Sequence, residues 1–157
     1  MIKLVRVDHR LLHGQVIFAW TKSEGIERII IIDDKTSTDD FKKMSLKLTK
    51  PEDVKLNVFS TDKAISLIPR IKELSDNIMI LFSNVTEMSK FVTAYGDIKE
   101  VNYGGVPNRE GAKQYSEAVF LTPEEVKESQ DLKDKGITLY IQQVPSRRKE
   151  ILNEKIW

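Results

Sequence analysis

Residues 2–25, IKLVRVDHRLLHGQVIFAWTKSEG, decide how the rest of the chain is read. IKLVRVD (2–8) is rich in β-branched residues and reads as a strand. GQVIFAWTKSEG (14–25) reads as a helix closed by Gly25, where a left-handed glycine commonly ends helices. Between the two lies DHRLLH, which holds both histidines of the chain, His9 and His13, together with Asp8 and Arg10. A strand, a polar loop and a helix make the first half of a βαβ unit, and ERIIIID (27–33) supplies the next strand.

The alternation continues outward. VKLNVFS (54–60), NIMILF (77–82), IKEVNY (98–103), EAVFL (117–121) and ITLYIQ (137–142) are further strands. Residues 38–48 carry Phe41, Met44, Leu46 and Leu48 at helical spacing, and Pro51 stops them. A helix over 61–74 starts at a Thr61 or Asp62 cap and is kinked or ended by Pro69. Another over 86–96 has Thr86 as cap and Gly96 as stop. The clearest helix is 122–136, with Thr122 as cap, Pro123 in the first turn, two early glutamates and Gly136 at its end. Residues 146–157 read as a last, fraying helix.

Strands separated by helix-length segments require right-handed crossovers and a mainly parallel sheet. The expected fold is α/β: a single open, mostly parallel twisted sheet of about seven strands with helices on both faces. The strand over 117–121 follows YGGVPNRE without an intervening helix, so it is expected to be antiparallel or at an edge. Residues 1–157 read as one domain, long enough for a sizeable core.

Composition narrows the function. The formal net charge is +1, from 25 basic and 24 acidic residues, with no basic run interleaved with aromatics, which argues against a nucleic-acid partner. The chain has no cysteine, which excludes disulfides, thiolate nucleophiles and cysteine metal sites. MIKLVRVDHR reaches charge too early for a signal peptide, and no apolar run is long enough to span a bilayer. Cytoplasmic residence is the expectation.

In open α/β sheets, sites lie beyond the carboxyl ends of the strands. Asp8, His9, Arg10 and His13 fall at the end of the first strand. Asp33 and Asp34 end the second, Ser60, Thr61 and Asp62 the third, Ser83 and Asn84 the fourth, and Tyr103, Gly104 and Gly105 the fifth. His13 immediately precedes a helix whose first amides lack internal partners and whose dipole favours an anion. Gly14 lets the backbone approach a bulky group, and Arg10 can fork onto phosphate oxygens. Neutral imidazole is a competent nucleophile near physiological pH, and phosphoryl transfer requires mainly positioning and charge stabilisation. Asp8 is placed to fix the imidazole tautomer.

Plainer readings stand beside these. His13 among apolar residues also fits a structural histidine, and Arg10 a solvated charge. Asp33 and Asp34 fit helix caps, Trp20 a core residue, and YGGVPN a turn that matches neither glycine-rich phosphate-binding fingerprint. His9 and His13, four apart, would suit zinc on one helical face, but HRLLH lacks the metalloprotease glutamate, and a third ligand would have to come from Asp33 or Asp34. A receiver-type phosphoaspartate module would need an acceptor aspartate after the third strand and a lysine after the fifth, where this chain has VFST and NYGG. A regulatory or phospho-ligand-binding domain using the same rim is the alternative to catalysis.

RVDHRLLHGQV (6–16) resembles the signature of the IIB components of the mannose/fructose/sorbose family of the bacterial phosphoenolpyruvate-dependent sugar phosphotransferase system (PTS). IIIIDDKTSTD (29–39), ILFSNVTEM (80–88), VNYGGVPNREGAKQYSEAVFLTPEE (101–125) and ITLYIQQVP (137–145) are similar to later segments of that family, in the same order. The resemblance implies an open α/β fold and a protein-N(π)-phosphohistidine–sugar phosphotransferase. His13 would be the phosphohistidine intermediate, accepting through Nδ1, and Arg10 would stabilise the phosphate. Gly14 and Gln15 would bind phosphate at the helix opening, with Asp8 supporting. The implied partners are a IIA phosphodonor protein or domain, the membrane IIC and IID permease components, and the sugar, with the chain peripheral to the permease. Neither cofactor nor metal is implied. His9 sits where the family varies and inherits no role, and YGGV departs from the V-G-G-M or V-G-N-M frequent there.

Overall fold

The computed structural model describes residues 1–157. Strand β1 (Ile2–Asp8) leads through a short loop to helix α1 (Gly14–Glu24), and β2 (Arg28–Ile32) follows. Helices α2 (Asp34–Ser37) and α3 (Asp40–Thr49) precede β3 (Lys55–Phe59). Next come α4 (Thr61–Ser66), α5 (Ile68–Glu73), β4 (Ile78–Phe82), α6 (Val85–Tyr95) and β5 (Glu100–Gly105). The chain finishes with β6 (Lys113–Ser116), β7 (Val119–Leu121), α7 (Pro123–Asp134), β8 (Thr138–Ile141), β9 (Glu150–Ile151) and a 3-10 turn, Leu152–Glu154. The main sheet runs β3-β2-β4-β1-β5-β8-β9, parallel except for β9.

Period-two alternation splits the core into two layers. Ile29 and Ile31 of β2, with Met79 and Leu81 of β4, pack against Ile17 and Trp20 of α1 and Leu46 of α3. Their neighbours Ile30, Ile32, Ile78, Ile80 and Phe82 face the other way, onto α4, α5, α6 and α7 through Ala64, Ile68, Met88, Phe91 and Leu132. Helices on both faces explain why RIIII and IMILF are continuous apolar runs rather than alternating ones. Each buried isoleucine contributes about 1.5–3 kcal/mol of burial free energy.

Several local signals act as expected. Gly25 adopts φ 62 at the end of α1, in the left-handed region where glycine is least strained. Thr122 and Glu125 form a reciprocal capping box on α7. Pro69 lies in the first turn of α5, so residues 61–74 form two short helices broken at Leu67. Two expected caps move upstream: Asn84 caps α6 in place of Thr86, accepting from Glu87 N at 2.8 Å, and Ser60 caps α4 in place of Thr61 or Asp62. Both are polar residues leaving a strand in extended backbone, one position before the helical turn closes.

The C-terminal segment departs from the helical expectation. Glu150–Ile151 pairs antiparallel with Tyr140 and Ile141 as the outer strand, and Leu152 and Ile156 are buried behind it. The open edge of β8 offers backbone hydrogen bonds and a hydrophobic seat that a solvated helix would forgo. The strand expected over 117–121 is antiparallel but lies outside the main sheet, paired with β6 in a separate hairpin that touches β5's end through a Val106–Val119 bridge. On α3 only Leu46 is buried; Phe41, Met44 and Leu48 face solvent. No helix is long and apolar enough to cross a membrane.

Candidate functional site

β1 lies between β4 and β5. Its crossover carries α1 over one face toward β2, whereas β5 sends α7 over the other face toward β8. The two connections diverge and leave a crevice at the carboxyl ends of β1 and β5, the switch point at which open α/β sheets bind ligands. Asp8, His9, Arg10 and His13 occupy it from β1, and Gly104 and Gly105 from β5.

Asp8 is the hub. Its carboxylate is fully buried and accepts from Arg6 Nη2 (3.0 Å), Arg10 Nη2 (3.0 Å), Arg10 Nε (3.0 Å) and the Arg10 backbone amide (3.1 Å). Burial pushes this carboxyl up, but the Arg10 hydrogen bonds and the Arg6 charge outweigh that and hold it below the ordinary carboxylate range. Both glycines of YGG serve this cluster, so the stretch is the end of a strand rather than a turn. A Cβ on Gly104 would lie 2.2 Å from the Arg6 guanidinium, and one on Gly105 3.1 Å from Asp8 Oδ1.

The loop from Asp8 to His13 is fixed by apolar anchors. Leu11 N donates to Asp8 O at 2.9 Å, and Leu11 and Leu12 are buried against α1 and the sheet. Leu11 takes φ 56, a left-handed conformation costly for a leucine and held here by its burial. The loop sets His13 at the N-cap position of α1, with Nδ1 3.1 Å from Leu11 O and Nε2 3.7 Å from Asp8 Oδ2. Nε2 is buried and has no hydrogen-bond partner. Burial lowers the His13 pKa below its ordinary 6.5, against the opposing pull of Asp8 and the Leu11 carbonyl. The ring is therefore neutral at pH 7, with a lone pair available on one nitrogen.

His13 gives its helix no side-chain cap, and the first turn of α1 carries no acidic residue. The amides of Gly14, Gln15 and Val16 thus keep the orphan character of a helix start, which favours an anion beside the imidazole. The Arg10 side chain is 41% exposed, so its outer edge faces solvent while its inner edge holds Asp8. Gln15 is exposed on the first turn. His9 turns away: its Nδ1 lies 3.3 Å from Gly105 O, and its ring does not share a helical face with His13 because residues 9–12 are not helical.

The other rim residues are spent locally. Asp33 caps α2 and accepts from the hydroxyls of Thr36 and Ser83. Asp34 accepts from Thr61 N, and Glu87 takes Asp34 N and the Thr61 hydroxyl. His9, His13, Asp33 and Asp34 form no metal-ligating group. Trp20 is core, donating Nε1 to Gln143 O at 2.9 Å. None of the four main clefts is lined by Asp8, His9, Arg10 or His13; a 620 Å³ cleft opens beside the first turn of α1, at Val16, Gln143 and Arg147. The His13 side chain is 20% exposed, at the rim of the sheet and outside those four clefts. Sequence reading puts Gly104 and Gly105 on the rim without a role and gives none to Arg6 or Leu11; for Arg6 the local signal is a charged residue inside the apolar run of β1.

Fold and site together define a doubly wound α/β protein that presents a neutral histidine and a guanidinium beside a free helix start. The family model described as PTS system sorbose subfamily IIB component matches residues 2–156, and the chain belongs to that family. The sorbose-specific EIIB component of Lacticaseibacillus casei is 34% identical over 139 residues, 88% of this chain and 85% of that one. The fructose-specific EIIB component of Bacillus subtilis (strain 168) is 30% identical over 149 residues, 95% of this chain and 91% of its own. The IIBSor domain of the sorbose permease from Klebsiella pneumoniae superimposes with a TM-score of 0.91 at 32% identity, covering 99% of this chain and 96% of that one. The chain spans 45% of the length of the mannose-specific EIIAB component of Escherichia coli (strain K12), to which it is 33% identical over 144 residues.

Proposed function

We propose that this chain, acting as one IIB domain, is a phosphohistidine carrier in sugar uptake. His13 takes a phosphoryl group from a IIA phosphohistidine and passes it to a sugar delivered by membrane IIC and IID components, which places the chain in the cytoplasm beside the permease. The observation that carries the reading is His13 itself, a neutral imidazole on an open rim between a free helix start and Arg10. Family membership supplies the context of sugar phosphotransfer.

In the first step the Nδ1 lone pair attacks phosphorus as the donor's N–P bond breaks and its electron pair returns to the donor ring. Nε2 is turned inward to Asp8 and buried, which leaves Nδ1 as the acceptor. For that attack the ring must first release Leu11 O and carry its proton on Nε2 instead of Nδ1, with Asp8 as the nearest acceptor for it, because the phosphoryl group takes the place of the Nδ1 hydrogen. Arg10 and the amides of Gly14 and Gln15 stabilise the phosphoryl oxygens. In the second step a sugar hydroxyl attacks the phosphorus, the His13 N–P bond breaks, and the hydroxyl proton leaves with a base.

The test is a relay with labelled phosphoenolpyruvate and the upstream proteins. The label is expected to be acid-labile and alkali-stable, and to move to sugar once permease vesicles are added. Failure of the chain to accept label, or an alkali-labile label, contradicts the reading. Arg10→Ala is expected to slow acceptance roughly ten- to a hundredfold, the equivalent of one charge-assisted hydrogen bond of about 1.5–3 kcal/mol. Rapid-quench kinetics unchanged from wild type would remove Arg10 from the site.

A further inference from the structure

Arg6 is the largest fully buried side chain in the protein, a cation in the middle of a strand, where an apolar residue would be far cheaper to bury. Its Nη1 donates to Asn102 Oδ1 and to Gln142 O, its Nη2 to Asp8 Oδ2, and its guanidinium lies 5.6 Å from the centroid of the Trp20 ring. The backbone of β5 makes room for it, since no side chain larger than a hydrogen fits at Gly104. Arg6 has no exposed surface, so it can touch neither a phosphoryl group nor a partner protein.

We propose that Arg6 is a positioning residue for phosphoryl transfer: it neutralises Asp8 from beneath, so that Arg10 keeps its charge for the phosphoryl group on His13. The inference rests on His13 being the carrier. Arg6, Asp8 and Arg10 together carry one net positive charge; without Arg6, Asp8 and Arg10 would cancel and the incoming anion would meet a neutral pair. The charged or titratable groups around Arg6 are Asp8 and Arg10 at its own strand end and Tyr140 of β8, while Asn102 and Gln142 are neutral. Around His13 they are Asp8, Arg10 and Arg6, with His9 on the far side of the Asp8 carboxylate.

The test pairs two readouts on Arg6→Met, Arg6→Lys and Gly104→Ala: the His13 imidazole titration followed by NMR, and the rate of phosphoryl acceptance from the donor protein across pH. Removing the Arg6 charge is expected to raise the His13 midpoint and slow acceptance roughly tenfold. Arg6→Lys, which restores the charge, is expected to return the midpoint toward wild type. Gly104→Ala, which alters no charge but evicts the guanidinium, is expected to slow acceptance like Arg6→Met. A folded Arg6→Met with wild-type midpoint and rate overturns the proposal; if that variant does not fold, wild-type midpoint and rate in Gly104→Ala overturn it. A wild-type protein that takes no phosphoryl group sinks the carrier reading itself, whereas a competent wild type matched by its Arg6 variants sinks only the role of Arg6.

Discussion

His13→Ala is expected to abolish phosphoryl acceptance to background, while His9→Ala keeps it. The asymmetry follows from geometry. His13 stands at the start of α1 with free amides and Arg10 beside it, whereas His9 faces the Gly105 carbonyl across the loop. The loss should be chemical and not structural, because the His13 side chain caps no helix, its Nε2 makes no hydrogen bond, and its Nδ1 bonds only Leu11 O, two residues back in its own loop. The stability change is expected to stay within about 1 kcal/mol. Label counted on both variants in the donor relay, with urea melts alongside, checks this. A His13→Ala protein that still takes label would show that another residue is the acceptor.

Asp8→Ala is expected to have the largest effect on stability. Its carboxylate holds two guanidiniums, one of them with no route to solvent, and truncation leaves Arg6 charged and buried with only neutral partners. Breaking a buried pair in this way costs about 3–5 kcal/mol, a fall in melting temperature of about 10 °C for a chain of this size. The pH dependence has a definite sign. The Asp8 pKa is lower folded than its ordinary 3.8, so its contribution is complete above 3.8 and is lost as pH falls through the lowered value. Thermal melts from neutral pH downward should show the gap between wild type and variant closing below 3.8. A variant as stable as wild type at pH 7 would mean that the cluster contributes nothing to the fold.

Much of this architecture is local in origin and therefore legible in the sequence. The apolar run of β2, the glycine closing α1 and the Thr122–Glu125 box each act within a few residues of themselves. What was not legible depends on distant partners. Residues 150–151 form a strand because β8 presents an unpaired edge to them, a fact that no local pattern carries. Phe41, Met44 and Leu48 have helical spacing yet face outward, since spacing defines a stripe and not the side on which the sheet lies.

The same division holds at the site. The helix start, His13 and Arg10 sit within one short stretch, and their chemistry can be read from residue type and order. Arg6 could not be assigned that way, because its meaning comes from Asn102, Gly104 and Gln142, which only the sheet brings to it. The two glycines of YGG, a rim position on one reading and a turn on the plainer one, are the mark that a guanidinium cluster leaves on the neighbouring strand.

The central claim is that His13 is the phosphoryl carrier. Mapping the modified residue on wild-type protein after stoichiometric phosphorylation tests it most directly, by fragmentation mass spectrometry for the residue and by heteronuclear NMR for the ring nitrogen. One phosphoryl group on Nδ1 of His13 is the predicted result. A phosphoryl group on His9, or on any other side chain, would contradict it.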